Sequence, residues 1–233
     1  MKKIIFVFLI AVFTTKVNNL SAQLINLSKT GVSESDAGLG IKEALGNGVT
    51  RAVGFLNKKD GFFGNELYKI LLPPEIIKAE KKLRAMGLGK LFDDAVLQIN
   101  RGAEDAVGFA APIFGSAIRQ MTLPDALRII QGPDNSATNY FRSKTDSSLN
   151  SAFTPVVKQS LEKTGATRYY SDLVQGYNKI PLVKKMNPDL SGYVVEKTMN
   201  ALFDQVGKEE AEIRRNPAKR GSDLLQKVFG AKN

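Results

Sequence analysis

From Leu39 to Ile213 the apolar residues of this chain return at every third or fourth position, and no segment sustains the alternation of a half-buried strand. That spacing belongs to helices that bury one face. Between Lys90 and Ala111 it is clearest. Placed at about 100° per residue, Phe92, Val96, Ile99, Ala103, Val107 and Ala110 fall on one stripe, while Asp94, Gln98, Arg101 and Asp105 fall opposite and are expected to face water.

The punctuation agrees with the spacing. Ser33-Glu34-Ser35-Asp36 opens a first helix that ends near Asn57. Pro73-Pro74 opens a second through Met86, with Gly87 and Gly89 marking its end. Pro112 is expected to break or kink the third helix. Thr122-Leu123-Pro124-Asp125 has the form of a capping box, and Gln131-Gly132-Pro133 closes that helix. Asp134-Asn135-Ser136 is set to cap the next, which carries Tyr140 and Phe141. The polar stretch Ser143 to Ser151 reads as helix or loop, and Thr154-Pro155 as a fresh start running to Gly165.

A short helix through Tyr169 and Tyr177, a loop over 178–192, a long helix from Tyr193 to Arg215 and a small closing helix around Leu224 to Phe229 complete the reading. The expected fold is all-α: a single-domain multi-helix bundle of about eight helices. Ala52-Val53-Gly54-Phe55 recurs as Ala106-Val107-Gly108-Phe109, at most a hint of a duplicated helical hairpin.

The first residues follow a different logic. Met1-Lys2-Lys3 is basic, Ile4 to Thr15 is an apolar run, and Leu20-Ser21-Ala22 precedes Gln23. This is the pattern of a secretory signal peptide over residues 1–22, cut after Ala22. The apolar run is too short for a permanent transmembrane segment, which needs roughly 20 residues. Residues 23–233 then form the mature domain, periplasmic or secreted. Losing Lys2, Lys3 and Lys16 takes the net charge from +10 to +7. A basic exported chain is expected to meet anionic lipid, glycan or an envelope protein, and no nucleic acid.

Composition narrows the chemistry. The chain has no Cys, no His and no Trp. Thiol nucleophiles, disulfides, iron–sulfur clusters, imidazole bases and His-containing zinc sites are thereby excluded. No phosphate-cradling loop, dinucleotide fingerprint or nucleophile elbow is present, and no cofactor is expected. Asn187-Pro188-Asp189-Leu190-Ser191-Gly192 imitates the opening of a calcium loop. The position of the bidentate glutamate holds Thr198, so the segment reads as a turn and no metal site is assigned.

Three groups remain as candidates. Asp93, Asn100 and Glu104 share one flank of the third helix. They read either as a carboxylate pair with an amide, suited to acid–base work with Glu104 and Asp93 in a hydrolase or lyase, or as a salt-bridged boundary. Tyr140, Arg142 and Lys144, with Asn100 and Arg101, are candidate ligand-binding residues. Two cations beside an aromatic wall suit an anion, and the alternative puts the aromatic in the core and the cations in water. Lys78, Lys81, Lys82 and Arg84 make the second helix basic, which is either an anion-facing patch or a solvated face broken by Glu75 and Glu80.

The strings Asn100-Arg101 with Ala103-Glu104 and Ala106-Val107, Ala117-Ile118 with Gln120-Met121-Thr122, Ala137-Thr138 with Tyr140-Phe141-Arg142, and Asp223-Leu224-Leu225 with Lys227-Val228-Phe229-Gly230 stand in this order. Together they resemble the domain-of-unknown-function 4197 family over roughly residues 33 to 230. The resemblance implies exported, helical proteins of Gram-negative bacteria. It brings no catalytic residues with it. The expectation is a non-catalytic binding or envelope-associated module for an anionic or amphipathic partner, with the carboxylate enzyme as the alternative.

Overall fold

The computed structural model describes residues 33–216 other than 164, 187 and 188. The expected signal peptide and the expected closing helix around Leu224 fall outside the described residues. So do Asn187 and Pro188 of the calcium-like turn.

Helix α1 spans Glu34–Asn57 and starts where Ser33 Oγ accepts the Asp36 N–H. After a 16-residue connection, α2 spans Pro74–Leu83, with proline in the first turn where a missing N–H costs nothing. A wide turn over Arg84–Leu88 follows, in which Gly87 takes φ 84°, a left-handed conformation that glycine adopts without a Cβ clash. Then come α3 at Gly89–Val107, α4 at Ala110–Gln120, α5 at Leu123–Gln131, α6 at Ser136–Lys163, α7 at Ala166–Asn178 and α8 at Ser191–Arg215. No strand occurs among the described residues, so the fold is all-α.

Helix α8 packs on α6, α1 and α3, and α3 also packs on α6 and α7. The aromatic heart of the core is Phe114, set edge-on to Phe141 at 5.0 Å and to Phe203 at 6.0 Å. All three are buried, and each contributes about 2–3 kcal/mol through the apolar surface it removes from water.

The capping box of α5 forms as expected. Thr122 Oγ1 accepts the Asp125 N–H at 3.3 Å, and Asp125 accepts the Thr122 N–H at 3.1 Å. The cap of α6 differs from expectation. Its first N–H groups, on Ala137 and Thr138, donate to the carboxylate of Glu210 on α8, each at 2.9 Å. Glu210 is buried and is held from behind by Arg214. A carboxylate placed at a helix N-terminus is favoured by the helix dipole, and here it also docks α8 onto α6.

Four other expectations are corrected. Thr154-Pro155 does not start a helix: α6 runs unbroken for 28 residues with Pro155 inside it, and the polar stretch 143–151 is helical. The reason is a buried line of Ala137, Phe141, Thr145, Leu149, Phe153, Val157 and Leu161, every fourth residue, which winds around the helix and meets different neighbours in turn. Pro112 does not break α3. The break falls at Gly108-Phe109, and Pro112 sits in the first turn of α4.

Asp94, Gln98 and Arg101 do not simply face water. All three are half-buried, because α3 is covered on several sides. The repeated Ala-Val-Gly-Phe strings occupy different structures: one lies within α1, while the other spans the end of α3.

Candidate functional site

The connection over 58–73 is the longest irregular segment among the described residues. Irregular stretches of this length are uncommon inside compact domains and are either functional or linker segments, and this one is ordered by specific contacts. It is pinned by the two buried polar residues that the sequence singled out on α3. Glu104 is 4% exposed. Its Oε1 accepts the Phe62 N–H at 3.1 Å and the Phe63 N–H at 3.2 Å, and its Oε2 accepts Arg101 Nη1 at 2.7 Å. Arg101 Nη2 reaches on to Asp60 at 2.7 Å, and Asn57 Nδ2 donates to the Glu104 carbonyl at 2.7 Å. Asp60 takes φ 67°, and Gly61 follows because a Cβ there would lie 2.3 Å from the Leu56 carbonyl oxygen.

One turn earlier, Asn100 is fully buried and pairs with both backbone groups of Ile70. Its Oδ1 accepts the Ile70 N–H and its Nδ2 donates to the Ile70 carbonyl, both at 2.8 Å. The side-chain amide thus takes the place of a neighbouring strand. Every buried polar atom of Asn100 and Glu104 has a partner. The pair anchors the connection and leaves no oxygen aimed at a cavity.

Asp93 lies elsewhere. It is exposed, and Arg84 donates to it at 2.6 Å across the Gly87 turn. That guanidinium holds the Asp93 carboxyl below the usual carboxylate range. Eleven residues of helix separate Asp93 from Glu104, about 16 Å along the axis. The two carboxylates do not converge on a common substrate atom. Among the described residues no group of three or more acidic side chains is placed to hold a metal ion.

The anchored connection forms one wall of a cleft of about 580 Å³, with α8 as the other. From Leu67 to Leu72 the chain alternates: Tyr68, Ile70 and Leu72 point inward and are buried, while Leu67, Lys69 and Leu71 are exposed. Lys69 caps the Phe63 ring at 4.3 Å. From α8, Lys197 lies over the Tyr193 ring at 5.4 Å and Lys208 over the Tyr68 ring at 4.6 Å. Lys208 also donates to the Tyr68 hydroxyl at 2.7 Å and pairs with Asp204 at 2.8 Å.

The Tyr68 phenol in turn donates to Asp204 at 2.7 Å. It has one proton, so Gln205 at 2.9 Å fits best as a donor to the phenol oxygen, with its amide ends exchanged. Burial, opposed by the Lys208 hydrogen bond and reinforced by Asp204, raises the Tyr68 pKa and keeps the phenol neutral. Burial works against the Asp204 charge, yet Lys208 and Tyr68 together hold its carboxyl below the ordinary value. Among the described residues Lys69 and Lys197 have no carboxylate within ion-pair distance. The cleft is therefore net cationic.

A second cleft, of about 520 Å³, lies between α4, the start of α5 and α6. Tyr140 and Lys144 line it together, and the Tyr140 hydroxyl donates to the Ala117 carbonyl at 3.3 Å. Burial raises the Tyr140 pKa. Arg142 is not with them. Two residues along a helix is more than half a turn, and Arg142 lies over the Phe203 ring at 4.2 Å on the α8 side. Asp125 and Lys144 both line this cleft, so it lacks the charge excess of the first.

Lys197 and Lys208, with Tyr193 and Asp204, were missed in the sequence. Their signal was a second stripe on α8, at positions 193, 197, 204 and 208, opposite the apolar one.

The fold and its pinned connection define an all-α bundle with a basic, aromatic-lined cleft. Residues 31–230 match the family model described as "Protein of unknown function (DUF4197)", and the chain belongs to that family. No curated protein and no solved structure gives a significant match.

Proposed function

We propose that this chain is an exported, non-catalytic binding module that holds an anionic or amphipathic partner in the cleft between the 66–71 segment and α8. The observation that carries this reading is the pairing of charge and grease at one lip. Lys69 and Lys197 lack carboxylate partners among the described residues and stand beside the exposed Leu67 and Leu71. Export is inferred from the basic start, the apolar run and the small residue at Ala22. It puts the module in the periplasm or outside the cell. A carboxylate enzyme finds no support in the geometry: Glu104 is committed to Phe62, Phe63 and Arg101, and Asp93 to Arg84.

Native mass spectrometry of the protein purified from its own host's envelope tests the reading. The expected spectrum shows a chain beginning at Gln23 with a co-purifying anionic lipid, acidic glycan or acidic protein. A ligand-free chain that retains Met1 and fractionates with the cytosol would contradict both parts.

A further inference from the structure

We propose that the outward row Leu67-Lys69-Leu71 is a bilayer contact: the two leucines enter the headgroup–acyl boundary of an anionic membrane, and Lys69 and Lys197 meet its phosphates. The inference rests on the binding reading above and narrows its partner to a lipid surface.

Leu67 is 77% exposed and Leu71 49%. Neither is on a loose end. Between them Tyr68 is rooted by Asp204 and Lys208, Ile70 by Asn100, and the Leu71 carbonyl accepts the Tyr193 hydroxyl at 3.0 Å. The segment is a braced lip of the cleft with its two leucines exposed. Lys58 over the Phe55 ring at 4.7 Å, with Phe55 edge-on to Tyr68 at 6.4 Å, extends the same pattern of cation on aromatic.

Size and chemistry favour a bilayer over other anionic partners. Residues 66–68 form a turn, so the chain from 67 to 71 covers less than the about 13 Å of a fully extended strand. A stable protein interface calls for roughly 20–30 residues a side. A shallow lipid contact needs only a few inserted apolar side chains with cations at headgroup level. A soluble polyanion would use the lysines and leave the leucines without a role.

The chain lacks tryptophan, so Leu67→Trp introduces a sole reporter at an exposed position. The test uses the chain from Gln23 onward, so that the apolar leader does not itself insert. Vesicles of phosphatidylglycerol with phosphatidylethanolamine are expected to shift the Leu67→Trp emission to shorter wavelength, and pure phosphatidylcholine vesicles are not. Leu39→Trp is the control, since Leu39 is 59% exposed near the far end of α1 and should stay unshifted. Adding Lys69→Glu and Lys197→Glu to Leu67→Trp is expected to weaken vesicle binding at least thirtyfold, about what two lysines contribute at an anionic leaflet.

No shift at Leu67→Trp, an equal shift on phosphatidylcholine, or a shift at Leu39→Trp alone would overturn the proposal. If heparin or an acidic protein is held through Lys69 and Lys197 while vesicles leave the reporter unmoved, the bilayer inference falls and the binding reading stands. If no anion of any kind is held, both fall.

Discussion

The Oε1 atom of Glu104 receives the backbone N–H of Phe62 at 3.1 Å, 42 residues away in sequence. One helix side chain thereby fixes where the 58–73 connection turns, and so where its exposed lip stands. Glu104→Gln keeps an acceptor for the loop but removes the charge that Arg101 is paired with. The expected loss of stability is about 1–3 kcal/mol, since the charge-assisted bonds weaken while the half-buried Arg101 keeps Asp60, read by urea denaturation. Asp93→Asn, at an exposed pair, should leave the midpoint unchanged.

Asn100 carries the next part of the same anchor. Asn100→Leu fills similar space but strands the Ile70 N–H and carbonyl away from water. The expected cost is about 2–4 kcal/mol, from two unsatisfied backbone groups. Hydrogen exchange should locate it, with faster exchange at the Ile70 amide and little change in α6.

Besides the exposed Asp93, whose pair with Arg84 contributes little, acid should weaken the fold through two further carboxylates. The Thr122 hydroxyl hydrogen bond, with Arg128, lowers the Asp125 pKa against burial. At Asp204, burial acts upward but is outweighed by Lys208 and Tyr68. A carboxyl whose folded pKa is depressed contributes stability above its unfolded value, near 3.9, and loses it as pH falls through the folded value. Melting temperature should therefore drop below about pH 4, and Asp125→Asn should flatten that drop. An unchanged slope in Asp125→Asn would remove this group from the explanation.

Pro155 lies exposed inside α6, where it removes one helical hydrogen bond. Pro155→Ala is expected to stabilise the chain by about 1–3 kcal/mol, since proline in a helix interior is disfavoured by roughly 3. Thermal melts of the two proteins decide it.

Much of this architecture was legible in the residues. The spacing of α1 and α8, the apolar stripe of α3 and the capping box at Thr122 carry local signals, and these formed as expected, although α3 ended four residues early and its polar side is half-covered. Asn100 and Glu104 stood out because polar groups beside an apolar stripe require partners. What the partners were was not legible, since Phe62 and Ile70 are backbone donors brought in by tertiary folding. Pro155 misled because its local rule, proline as a start, was overridden by the buried line through Thr145 and Leu149. That line was masked by the serines around it. Eight α-helices stand among the described residues, close to the number expected, although two expected helices joined into α6, α3 split from α4, and the expected closing helix falls outside those residues. The cationic cleft went unread because its lysines come from the connection and from α8, more than 120 residues apart.

Ligand retention and melting temperature, measured side by side in Glu104→Gln and in the double variant Lys69→Glu/Lys197→Glu, separate anchor from binding surface. Glu104→Gln is expected to melt earlier while still carrying the ligand that co-purifies from the envelope. The lysine double variant is expected to melt as the parent does and to come away empty. A Glu104→Gln protein of unchanged stability that has lost its ligand, with the lysine variant still loaded, would contradict that division.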